Sequence, residues 1–231
     1  MDIILIPGLW LDGSSWDEVV PALEKAGHHP VPLTLPGLDA RDRDRSTITL
    51  QDHVDAVTAA IDAADGQTVV VGHSLGAGVA SVAVDARVDR VARAIYIGGF
   101  PAADGERLGD GFTVENGEVP FPDWDSFDDA DLGGLDDAAR ENFRERAIPS
   151  PGGLVTDVVH LSDDRRYDVP VTVICPEFSA DQLRTWIAQG APPVQEFAKI
   201  RDLQYVDLPT GHWPQFTRPA ELAQIIADAA G

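Results

Sequence analysis

Gly72-His73-Ser74-Leu75-Gly76 offers the first side chain placed for chemistry. It follows an apolar run at 68–71 and precedes a run of small residues at 77–86, so Ser74 falls where a buried strand turns sharply into a helix. Such a turn exposes a hydroxyl at the edge of a sheet, on a strained backbone that small flanking residues allow past its neighbours. The helix N-terminus beside it favours developing negative charge. These features point to Ser74 as a nucleophile rather than an N-cap on a glycine-rich turn. A serine hydroxyl needs a base, and His212 is the best placed, in Pro209-Thr210-Gly211-His212-Trp213-Pro214. It lies after a predicted strand at 204–208 and before a final helix, which returns it to the same edge of the sheet. A neutral imidazole can take the Ser74 proton and return it to a leaving group. His73 is expected to pack against the core, and His28, His29 and His53 fall in surface turns or helix starts. His160 is expected to be structural.

The elements that must hold these groups alternate. Strands are predicted at 3–6, 31–35, 68–71, 94–97, 171–174 and 204–208. Helices are predicted at 15–26, at 50–64 with Thr49 as N-cap, at 77–86, near 180–189, and from Pro219 onward. This order implies an α/β fold, a mostly parallel sheet flanked by helices on both faces. The rhythm breaks between about 100 and 168, where acidic residues and turn formers cluster and one helix is plausible at 136–146. The chain therefore reads as a single domain, residues 1–231. Its core is 1–99 and 169–231, and 100–168 is a helical lid inserted over the C-terminal edge of the sheet.

With those motifs the chain resembles the α/β-hydrolase superfamily, in its small-lid branch of plant methyl esterases, hydroxynitrile lyases and actinobacterial homologues. The likeness spans essentially the whole chain and rests most on Pro7-Gly8-Leu9-Trp10 through Ser15-Trp16, Gly72 to Gly76, and Gly211-His212-Trp213. Members usually begin with further strands, so a minimal version of the fold is expected. The resemblance implies a Ser, acid, His order and an oxyanion hole of backbone N–H groups, here Leu75 and Leu9 with Trp10 as alternate. It also implies a carboxylate after the strand at 171–174. The usual Asp position is filled by Phe178 or Ser179, so the acid is assigned to Glu177, the nearest carboxylate, with Asp181 second and no third member as the remaining alternative.

Trp10, Phe100, Trp124, Phe127 and Trp213 are each candidates for core packing. Together, beneath a lid, they suggest an apolar acyl or aryl pocket. The chain carries 39 acidic against 17 basic residues, a net of −22, which disfavours nucleic acid and anionic membranes as partners. It leaves a small-molecule substrate, and oligomeric state is not legible. No phosphate-cradling loop or metal-ligand spacing is present, so no cofactor and no metal are expected. A lone Cys175 and a first segment with no basic n-region point to a cytoplasmic setting. Sparse Lys with abundant Ala, Asp and Arg suggests a GC-rich bacterial source. The function expected is a serine hydrolase acting on a small, neutral, fairly apolar carboxylic ester. The alternatives are a non-hydrolytic enzyme of the same fold (lyase, cyclase or C–C bond chemistry) and a non-catalytic ligand-binding homologue.

Overall fold

The computed structural model describes residues 1–231. Its main sheet has six strands, all parallel: β1 (Asp2–Ile6), β2 (His29–Pro32), β3 (Thr68–His73), β4 (Val91–Ile97), β7 (Val171–Cys175) and β8 (Leu203–Asp207). A short antiparallel ribbon pairs β5 (Glu118–Val119) with β6 (Ser150–Pro151). The helices are α1 (Val20–Lys25), α2 (Leu50–Ala63), α3 (Leu75–Ala86), α4 (Asp137–Arg146), α5 (Gly153–Thr156), α6 (Ala180–Ala188), α7 (Pro214–Thr217) and α8 (Pro219–Ala230).

Strand alternation divides the core into two layers. Ile4, Ile6, Val70, Ala94, Tyr96 and Val173 face α2, α3 and α6. Their neighbours Ile3, Leu5, Val69, Val71, Ile95 and Ile174 face Trp16, Leu23 and, on α8, Leu222 and Ile226. Strands buried on both faces read as unbroken apolar runs, which is why 3–6 and 68–71 stand out in the sequence. Each fully buried Ile or Leu contributes about 2 kcal/mol of transfer free energy. At the far end of β7, Cys175 is 1% exposed, and burial, followed by nearby Asp207 and Glu177, pushes its thiol up to about 12.

Sheet order is β2-β1-β3-β4-β7-β8, so chain connections run outward in opposite directions from β1 and β3. Loops leaving the C-terminal ends of those two strands diverge there and open a crevice, where α/β sheets bind ligands. Ser74 leaves β3 at that point and Leu9 follows β1.

Local differences from the sequence reading have local causes. The helix expected at 15–26 is a 3-10 turn (Gly13–Trp16) followed by α1, which starts afresh with Pro21 in its first turn. Strand β2 lies earlier than 31–35, at the sheet edge, where Pro30 and Pro32 are tolerated. Thr49 caps α2 in a reciprocal box with Asp52. The 98–170 segment contains the ribbon, α4, α5 and two short 3-10 turns, and is otherwise irregular. Its end is tied to α3 by Asp85, whose carboxylate accepts from the Ser162 and Asp163 backbone N–H groups and pairs with Arg166. No helix is long and apolar enough to cross a membrane.

Candidate active site

Ser74 occupies the turn between β3 and α3 with φ 53° and ψ −129°, a conformation L residues avoid. Its N–H donates to the Ile97 carbonyl at 2.8 Å, which helps to hold the turn. Close packing explains the flanking glycines. A Cβ at Gly72 would stand 2.4 Å from the Gly76 carbonyl oxygen, and one at Gly76 would stand 2.4 Å from that of Pro7.

His212 reaches this turn from the loop after β8. Its Nε2 lies 2.8 Å from Ser74 Oγ, and its Nδ1 lies 2.9 Å from Glu177 Oε1. Glu177 comes just past the end of β7, with a side chain only 13% exposed. Asp181 is elsewhere: it is exposed in the first turn of α6 and pairs with Arg184. Of the two carboxylates considered, Glu177 is the one beside His212.

The base loop is held from three sides. Buried His73 donates its Nε2–H to the His212 carbonyl at 2.7 Å. Burial, then the neighbouring His212, pushes the His73 imidazole down to about 3, so it stays neutral. From the 98–170 segment, the Asp131 carbonyl accepts the His212 N–H at 2.7 Å and the Gly133 carbonyl accepts the Gly211 N–H at 2.8 Å. The contact is so close that a Cβ at Gly211 would stand 2.3 Å from the Asp131 oxygen.

The loop after β1 is gripped by the same segment. Trp10 has φ 66°, and its N–H donates to Ser150 Oγ at 2.8 Å. Its indole N–H donates to the Val119 carbonyl at 3.1 Å, and its carbonyl accepts from Ile148 at 2.9 Å. The Trp10 amide is therefore committed and does not serve as the alternate oxyanion donor. The Leu9 and Leu75 amides donate to no acceptor in a loop, cap or side chain. Leu75 is the first residue of α3, whose leading N–H groups have no helical partner.

Two cavities meet at Ser74. The larger, about 730 Å³, is bordered by Leu75, Leu108 and Phe112, with Glu106, Arg107 and Asp110. The second, about 520 Å³, is bordered by His212, Glu177, Phe127, Phe178 and Trp186. Of the five aromatics expected in a pocket, Phe100 borders both cavities and Phe127 the second. Trp10, Trp124 and Trp213 border neither, which corrects the expectation. They belong to an aromatic cluster in which Trp213 packs at 5.1–5.8 Å from Trp124, Phe127 and Phe143. Trp124 and Trp213 pack the 98–170 segment onto the base loop, and Trp10 packs the loop after β1 onto Phe112, Phe121 and Phe127 of the same segment. Phe112, Phe178 and Trp186 are the pocket aromatics the sequence reading missed. His53 lies near the start of α2, within the expected range of turns and helix starts, but is not at the surface. It is fully buried in α2, donates to the Pro36 carbonyl, and is held down to about 4 chiefly by burial.

Asp131, Glu177 and His212 bring potential ligand atoms within 4.8 Å of one another. Both nitrogens of His212 are already engaged, by Ser74 and Glu177, so the trio reads as part of the hydroxyl-activating chain.

A strained serine at a sheet's switch point, bonded through a histidine to a carboxylate, defines a class. The chain belongs to the alpha/beta hydrolase family, whose model matches residues 3–225. Among individual relatives, it is 27% identical to a "Carbendazim hydrolyzing esterase" of a Nocardioides species, over 98% of both chains. A "Putative methylesterase 14, chloroplastic" of Arabidopsis thaliana is 26% identical over 50% of this chain and 34% of its own length. Among solved structures, an extracellular alpha/beta-hydrolase from a Paenibacillus species superposes with TM-score 0.80 at 20% identity. That match covers 100% of this chain and 99% of the other and shows a shared fold.

Proposed function

We propose that the protein hydrolyses carboxylic esters through an acyl-enzyme on Ser74. Ser74 Oγ attacks the ester carbonyl carbon as His212 Nε2 takes its proton. The oxyanion so formed accepts hydrogen bonds from the Leu9 and Leu75 amides. His212 then gives the proton to the alcohol oxygen as the C–O bond breaks. Water repeats the sequence on the acyl-enzyme and releases the acid. Glu177 fixes the His212 tautomer with the proton on Nδ1 and stabilises the imidazolium.

One observation carries this reading: the continuous chain from Glu177 to His212 to Ser74 at 2.9 and 2.8 Å. Glu177 beside His212 supports hydrolysis over a non-hydrolytic reaction on the same fold, since it completes the proton-relay chain ester cleavage needs. A relative named as an esterase that matches nearly the whole chain supports the same choice of reaction. Residues 100–168 act as a lid in this reading, and the aromatic walls of both cavities favour a substrate with an apolar body. The acidic lid disfavours anions.

A panel of aryl esters and a fluorophosphonate probe test the proposal. Wild-type protein should turn over the esters and take up the probe at one site, and Ser74→Ala should do neither. Equal background turnover by both proteins would refute it.

A further inference from the structure

The two cavities at Ser74 are not equivalent, because only one of them is bordered by His212. In ester cleavage the alcohol oxygen must lie within hydrogen-bond reach of His212 Nε2 to receive its proton. The alcohol side of a substrate therefore occupies the cavity with His212, and the acyl side extends into the larger cavity past Leu75.

Charge in the alcohol-side cavity is unbalanced. Neither Lys nor Arg borders it, while Glu177 and Asp131 both do. Glu177 is engaged by His212. Asp131 forms no ion pair with any Lys, Arg or His, and its side chain accepts only the Asp128 N–H, at 3.1 Å. It is half-buried, and burial raises its pKa despite the Asp128 hydrogen bond and nearby His212, which lower it. A half-buried carboxylate with no Lys or Arg beside it, and with His212 already engaged by Ser74 and Glu177, is stabilised by a cation that enters beside it. The remaining wall suits such a guest. Phe100, Phe112, Phe127, Phe178 and Trp186 present aromatic rings, whose faces attract ammonium groups.

We infer that the His212-side cavity is a subsite for an alcohol or phenol leaving group bearing an ammonium charge, with Asp131 as its specificity-determining residue. The inference rests on the ester-hydrolase reading and replaces the expected neutral substrate by one charged on its leaving group. A net charge of −22 would also concentrate cations near the protein.

The acetate esters of 3-(trimethylammonio)phenol and 3-tert-butylphenol match in shape and differ in charge. Each protein gives a ratio of kcat/KM for the charged over the uncharged ester. Dividing the wild-type ratio by that of Asp131→Asn cancels intrinsic leaving-group reactivity. The expected quotient is about tenfold, a modest share of the Coulomb attraction between a carboxylate and a nearby cation at a partly exposed site. A merely structural defect lowers both esters together, so a quotient near one overturns the inference. A second measurement needs no substitution. As inhibitors of the hydrolysis of a neutral ester by wild-type protein, 3-(trimethylammonio)phenol should bind several-fold more tightly than 3-tert-butylphenol, and equal inhibition would overturn it. If wild-type protein cleaves neither ester, the ester-hydrolase reading fails and takes the inference with it. If both are cleaved and the quotient is one, only the inference fails.

Discussion

The sheet core and the 98–170 segment divide the work of the site unequally. The core supplies the chain of reactive groups: Ser74 from β3, Glu177 from β7 and His212 from the loop after β8. The 98–170 segment supplies none of these three. It does supply five backbone or side-chain bonds to the two loops flanking Ser74. Ser150, Val119 and Ile148 fix Trp10, while Asp131 and Gly133 fix His212 and Gly211. In the proposed mechanism the reactive groups sit at the C-terminal ends of sheet strands and in the loops that leave them, and the 98–170 segment is bonded to two of those loops.

The largest effects should come from the core. Ser74→Ala should lower kcat/KM for an aryl ester by at least about 10⁴-fold, and Glu177→Gln by about 10³-fold with the far-UV spectrum unchanged. A Glu177→Gln variant of wild-type activity would sever the carboxylate from the mechanism. The next effect tests the 98–170 segment. Gly211→Ala drives a methyl group against the Asp131 carbonyl, and the resulting shift of His212 should reduce kcat about 10²-fold. Unchanged kcat would show that the segment's grip on the base loop is not needed for alignment.

Much of the core was legible because its signals are local. Apolar runs ended by Pro-Gly or Gly-His marked the strands, and the Thr49 cap and i, i+3, i+4 spacing marked α2. Ser74 and His212 could be singled out because their positions follow from which element precedes and follows each. Glu177 ranks ahead of Asp181 in the sequence only as the nearer carboxylate, since the choice depends on where β7 ends and how the chain leaves it. The pocket was least legible. An aromatic side chain in the 98–170 segment reads the same whether it packs inward, as Trp124 does, or faces a cavity, as Phe127 does. The close approach of Gly211 to Asp131 joins residues remote in sequence and leaves no local trace.

Acid should separate the two regions further. His53 and His73 lie against the sheet and bind protons near pH 6.5 when unfolded, but only near pH 4 and pH 3 when folded. The unfolded chain thus holds more protons below about pH 6.5, and stability falls as pH falls. The loss should be roughly 2 kcal/mol per unit between about pH 6 and pH 4. Urea midpoints at pH 7 and pH 5 measure it. His53→Gln, which keeps a donor for Pro36, should reduce the slope by about half. The smallest effect returns to the 98–170 segment. Ser150→Ala leaves the Trp10 N–H buried without an acceptor and should cost about 1–3 kcal/mol of stability. A matching fall in kcat would show that the Trp10 loop must be rigid to hold the oxyanion.

Cys175 sits in the core with its thiol pushed up to about 12, so hardly any thiolate exists at neutral pH and reagents cannot reach it. The native protein should therefore resist alkylation by iodoacetamide, and modification should report opening of β7. With the only endogenous thiol silent, a single cysteine introduced on the 98–170 segment would accept a spectroscopic label cleanly. Distances from that label to a fluorophore delivered covalently to Ser74 would then report where the segment lies once the nucleophile is occupied.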